Sequence, residues 1–140
     1  MLPIYKFHKD RDERLRSAKE AITALLKLDL YLAHKKELLD VCIWKITEAD
    51  GKYKTRYWSE GATKSEEKYW RHEHVHEKKE LITRLIKGER LETVFDDMVA
   101  CTVTKEEHSL LSKSSSQGWQ RYRDANIKVY DSMKSEWIGN

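Results

Sequence analysis

Six histidines occur in the 140-residue chain, and three of them fall at alternate positions in Trp70-Arg71-His72-Glu73-His74-Val75-His76, with Glu73 between the first two. A fourth, His108, follows Glu106 and Glu107 in a separate stretch that also suits a ligand. Imidazole exchanges its proton near neutral pH, and with carboxylates it forms a common ligand set for divalent ions. Together these groups suit hydrolysis, in which a water is made nucleophilic and charge on the attacked group is neutralised. The same run also reads as a solvated polar face, because Glu77, Lys78, Lys79 and Glu80 follow it directly.

The elements that position these residues are partly legible. Leu15, Ala18, Ile22, Leu25 and Leu26 recur at helical spacing on a charged background, which predicts an amphipathic surface helix. The pattern slips near Lys27 to Leu30 and resumes at Leu38, Leu39, Cys42 and Ile43, so one kinked helix or two helices end near Trp44. Asp50-Gly51 between Ile43 to Thr47 and Tyr53 to Trp58 predicts a hairpin. Thr63-Lys64-Ser65-Glu66 has capping-box spacing and predicts a helix start. Whether that helix runs through the histidines decides their chemistry.

Further on, Leu81, Ile82, Leu85 and Ile86 form a helical stripe that stops at Gly88, and Leu91, Val94 and Phe95 suggest a short helix. Met98 to Thr104 alternates as a strand, with Val99, Cys101 and Val103 on one face and Ala100 and Thr102 on the other. Thr104-Lys105-Glu106-Glu107 then repeats the capping-box spacing, placing His108, Leu110 and Leu111 on the next helix. Ser112 to Gly118 reads as a polar connector, and Ile127 to Tyr130 as a last strand.

The fold class implied is α+β: a small, helix-rich single domain. It divides into a helical scaffold (1–47), a region with a short hairpin and a metal-finger-like half (48–111), and a connector with a C-terminal segment (112–140). Charged residues make up 36% of the chain and hydrophobic residues 39%, which places it among globular rather than disordered chains. The net charge of +3 is too balanced to mark nucleic-acid binding by itself. No apolar run approaches the roughly 20 residues of a membrane helix. Cys42 and Cys101 sit among apolar neighbours without Cys-x-x-Cys spacing, so reduced, buried thiols and a cytoplasmic location are expected.

Two resemblances attach to the histidine run. His72-Glu73-His74-Val75-His76 matches His-Glu-x-x-His and so resembles the zinc metallopeptidases. On a helix His72 and His76 would share a face and bind Zn²⁺, with Glu73 polarising its water. The flanking Arg71 and Glu77 are atypical for that buried helix, and a third ligand, His108 or Glu92, is not selected by spacing.

Glu73-His74-Val75 together with Val99 to Leu111 resembles the HNH, or ββα-metal, finger nucleases over residues 71–111. That likeness implies metal-dependent hydrolysis of nucleic acid. Glu73 and His108 would bind Mg²⁺ or Mn²⁺, and His74 would activate the water. The proline that often follows the family's His-hydrophobic pair is absent, and no Asn lies between His74 and His108. Arg71, Arg84, Arg121 and Arg123 are candidate phosphate contacts, and Trp70, Trp119 or Tyr122 could stack on bases. A non-catalytic module that binds nucleic acid or protein is the third reading.

Overall fold

The computed structural model describes residues 1–138. The two stretches of helical spacing become two helices, α1 (Arg11–Lys27) and α2 (Leu32–Thr47), separated where Leu28 turns extended. Asp12 and Glu13 in the first turn of α1 and Lys27 in its last complement the helix dipole. Ala18 and Ile22 of α1 pack on Leu39, Cys42, Ile43 and Ile46 of α2.

The 50–51 turn forms no hairpin. Ile43 to Thr47 belongs to α2, because Ile43 and Ile46 complete its buried stripe, and the second flank contributes only β1 (Tyr57–Ser59). Nor does a helix start at Thr63. Ser59 caps α3 (Glu60–Thr63) by accepting from the Ala62 amide at 3.0 Å, so Thr63 ends that turn rather than opening one. A 3₁₀ turn at Glu67–Tyr69 then leads into β2 (Trp70–His74).

After β2 come α4 (Lys78–Ile86) and α5 (Leu91–Phe95), whose Leu81, Ile82, Leu85 and Val94 complete the core begun by α1 and α2. The chain returns as β3 (Ala100–Thr104), and Thr104 caps α6 (Lys105–Ser112) in a full capping box with Glu107. A six-residue helix, α7 (Trp119–Asp124), forms where the sequence pattern marks no element; β4 (Val129–Asp131) and β5 (Glu136–Ile138) end the described chain.

The five strands form one mixed sheet in the order β2-β3-β1-β4-β5, with β1 and β3 parallel and the other neighbours antiparallel. The architecture is therefore α+β. Side chains alternate across a strand, and the alternation sorts the two faces. Trp70, His72 and His74 meet α2 and the 53–58 segment. Val75, Cys101, Val103 and Val129 form a second core with Leu111 of α6 and Tyr122 of α7. Cys42 and Cys101 are both free and buried. No helix among the described residues is long and apolar enough to cross a membrane.

Candidate functional site

The histidine run is extended through His74, so the helical face that a His-Glu-x-x-His zinc site requires does not form. His72 lies against α2, whereas His76 lies beyond the strand, its Nε2 3.5 Å from Asp97 and its Nδ1 3.9 Å from Glu80. Those two imidazoles are not brought to a common ion position.

His72 and His74 meet instead at one hydroxyl. Their Nε2 atoms lie 3.0 and 2.8 Å from Thr47 Oγ1. A hydroxyl has one proton to give, so with both rings neutral at least one must donate its own Nε2–H to Thr47. Trp44 stacks on His72 at 4.7 Å and meets His74 edge-on at the same separation. Burial, aided by the Lys78 ammonium over Trp44, lowers the His72 pKa to about 4. Burial lowers His74 still further, with His72, Lys78 and Arg121 adding to the effect. Both rings are therefore neutral at pH 7.

Glu73 points to the opposite face, and there the structure joins two residues 35 positions apart. Glu73 Oε2 contacts His108 Nδ1 in a short hydrogen bond. The β2–β3 register sets Glu73 beside Cys101, and the Thr104 cap starts α6 immediately after β3, which carries His108 back over Glu73. A carboxylate only accepts, so the Nδ1 of a neutral His108 carries the proton and its Nε2 keeps a lone pair. The Glu73 side chain is buried, at 8% exposure, while that of His108 is 46% exposed. The pair thus reaches solvent through the imidazole.

Arg121 holds the other carboxylate oxygen. Its Nη2 donates to Glu73 Oε1 at 3.1 Å and to the carbonyls of His74 and Val75 at 2.6 and 2.9 Å. Nη1 donates to the Leu111 carbonyl at 3.2 Å, and the side chain is 1% exposed. Arg121 is consequently a buried partner of Glu73, not the phosphate contact expected from the sequence. An arginine between Trp119 and Tyr122 on a short helix is the only sequence signal for that role. Thr47 and Trp44, which cradle the histidines, carried none.

Of the other expected contacts, Arg84 is engaged by Glu89 and by Asp97, the latter at 2.7 Å. Arg71 is partly exposed, donates to the Trp70 carbonyl at 2.7 Å and shares the Glu73 side of β2 by alternation. Arg123 is exposed and bonded to Gln120 at 2.9 Å. Tyr122 is buried and cannot stack on a base, whereas Trp119 and Trp70 are half-buried. His74, the expected water activator, has its ring on the face away from Glu73 and His108.

One carboxylate oxygen and one imidazole nitrogen converge at the Glu73–His108 contact. No cluster of three or more His, Cys, Asp or Glu side chains suited to a metal occurs among the described residues. The pair is closed by its own hydrogen bond, with the proton on Nδ1, and would take a divalent ion only once that proton is displaced. It does not match structural zinc, which closes its shell with four protein ligands. No family model matches the chain, and no curated protein or solved structure matches it either.

Proposed function

We propose that the protein hydrolyses phosphodiester bonds in nucleic acid at Glu73 and His108, using the β2–β3–α6 unit as an HNH-like finger. The observation that carries this reading is the Glu73–His108 contact itself, made by an antiparallel strand pair running straight into a helix. Glu73 and His108 are the residues that would hold Mg²⁺ or Mn²⁺, the ion replacing the proton that Nδ1 shares with Oε2. Such an ion would neutralise charge on the phosphate and on the leaving oxygen. Arg121 fixes the carboxylate from behind, so that Oε2 stays directed at α6.

The proton chemistry departs from the sequence-based expectation. His74 is turned away, and the imidazole on the Glu73 side is that of His108. Held by a carboxylate at Nδ1, it presents Nε2 as a base, the arrangement by which a buried acid selects a histidine tautomer in hydrolases. This favours a second reading, an ion-independent hydrolase in which the same pair moves the proton.

The experiment is cleavage of plasmid DNA, single-stranded DNA and RNA in Mg²⁺, Mn²⁺ or EDTA by the wild type, Glu73→Gln, His108→Ala and His74→Ala. The expected result is Mg²⁺- or Mn²⁺-dependent cleavage lost in Glu73→Gln and His108→Ala and kept in folded His74→Ala. Cleavage that persists in EDTA identifies the second reading. Absence of cleavage of any nucleic acid would falsify both, leaving a binding module. Casein cleavage dependent on His72 and His76 would restore the peptidase reading.

A further inference from the structure

Two of the four arginines expected to meet phosphate are committed, since Arg121 is buried against Glu73 and Arg84 is held between carboxylates. A different set is free. Lys6, Lys9, Lys52 and Lys54 line one groove of about 710 Å³. All four are exposed, and none is paired with a carboxylate among the described residues.

The groove holds two acids, and one of them is cancelled. Asp50 accepts from the Tyr5 hydroxyl at 2.5 Å and from the His8 amide at 2.9 Å, and it is paired with Arg11. Its side chain is 6% exposed. Glu67 is then the remaining negative charge against four lysines. The groove therefore complements a polyanion.

Its walls are aromatic. Tyr53 meets Trp70 edge-on at 5.6 Å, and Trp70 meets Trp58 edge-on at 4.7 Å. Tyr53 is fixed in place: its backbone has φ +55°, and its hydroxyl donates to the Trp70 carbonyl at 2.9 Å. Phe7 stands 61% exposed on the same groove, edge-on to Tyr5 at 5.3 Å. Free lysines beside these rings, with Lys52 over Tyr53 at 5.2 Å, suit unpaired bases on a phosphate backbone, because stacking needs a base face that a duplex hides.

We propose that this groove binds single-stranded nucleic acid and leads it to Glu73 and His108. Trp70 opens β2 three residues before Glu73, about 10 Å along a strand. β2 is one of the two outer strands of the sheet. A nucleic-acid strand leaving the groove at Trp70 crosses that free edge beside Arg71 to reach the α6 side. The route to the site rests on the cleavage reading, whereas binding in the groove does not.

The test separates the two by measuring binding in EDTA, where ion-dependent cleavage is silent. Fluorescence anisotropy of fluorescein-labelled 20-nucleotide oligothymidylate and oligouridylate is followed against salt for the wild type, Lys52→Glu/Lys54→Glu, Phe7→Ala and a Lys36→Glu control, Lys36 being exposed on α2 away from the groove. These side chains are exposed, so the variants keep the fold, which circular dichroism verifies. Four phosphate contacts on a single strand predict a log–log salt slope of about −2.8. The double variant should bind at least about tenfold more weakly, with the slope reduced in magnitude by about 1.4. Phe7→Ala should lose about fivefold or more, and Lys36→Glu should bind as the wild type does.

Three results overturn the proposal: no salt-sensitive binding to either oligonucleotide, unchanged binding by the double variant, or equal affinity for a 20-base-pair duplex. Displacement of the oligonucleotide by polyglutamate at equal charge concentration would also overturn it, since the groove would then be reading charge alone. Binding in the groove without cleavage in any metal removes the nuclease reading and leaves the groove. Cleavage of single strands at the wild-type rate by the double variant removes the groove and leaves the nuclease.

Discussion

Replacing Arg121 with methionine removes four hydrogen bonds at once while keeping much of the aliphatic volume. Three of the four acceptors are carbonyls, of His74, Val75 and Leu111, and the fourth is the Glu73 carboxylate. The guanidinium is 1% exposed, so water cannot take its place without opening the second core. Removing one member of a buried ion pair costs about 3–5 kcal/mol, because the other charge is left behind. Against a total stability of about 5–15 kcal/mol for an ordinary domain, that is a large share, and it corresponds to a melting temperature lower by roughly 10–20 °C. The assay is urea unfolding followed by tryptophan fluorescence at pH 7 in EDTA. Adding Glu73→Gln to Arg121→Met should return at least about 1.5 kcal/mol, since the uncompensated charge is then gone. A loss below about 1 kcal/mol for Arg121→Met, or no recovery in the double variant, would refute the view that Arg121 exists to hold Glu73.

Three other outcomes are expected. His74 is buried, His72 is half-buried against α2, and both are neutral, so as pH falls through about 6.5 the unfolded chain takes up protons that the folded chain refuses; stability is full above that pH and lost below it. Between pH 7 and pH 5 each histidine should cost about 2 kcal/mol, and equal urea midpoints at the two pH values would contradict this. Gly118→Ala should destabilise by about 1–3 kcal/mol, because Gly118 has φ +63° and an added Cβ would lie 2.9 Å from the His76 ring; a neutral result in the same assay speaks against that contact. Thr104→Ala removes the cap of α6 and should cost about 1 kcal/mol while lowering any cleavage activity through His108, with both effects absent if the capping box is not formed in solution.

The readable parts of the sequence were those where neighbours in the chain are also neighbours in space. The stripes of α1, α2 and α4 and the strand-to-helix step at Thr104 follow from spacing, capping and alternation within about a dozen residues. The failures have one cause. Thr63 has the letters of a cap, yet Ser59 starts the turn because its hydroxyl also donates to Glu107 of α6 at 2.5 Å, a contact 48 positions away. Likewise the 43–47 segment has strand-like composition, but Ile43 and Ile46 are claimed by the helical core that α4 and α5 complete.

The candidate site divides along the same line. From sequence alone came the concentration of imidazole and carboxylate between positions 72 and 76, the helix carrying His108, and the choice those residues posed between helical and extended geometry. Only tertiary structure decided that choice: β2 pairs with β3, and a paired strand sends alternate side chains to opposite faces. That alternation took His72 and His74 to Thr47, sent Glu73 to His108, and gave Arg121 a buried role that no local pattern records.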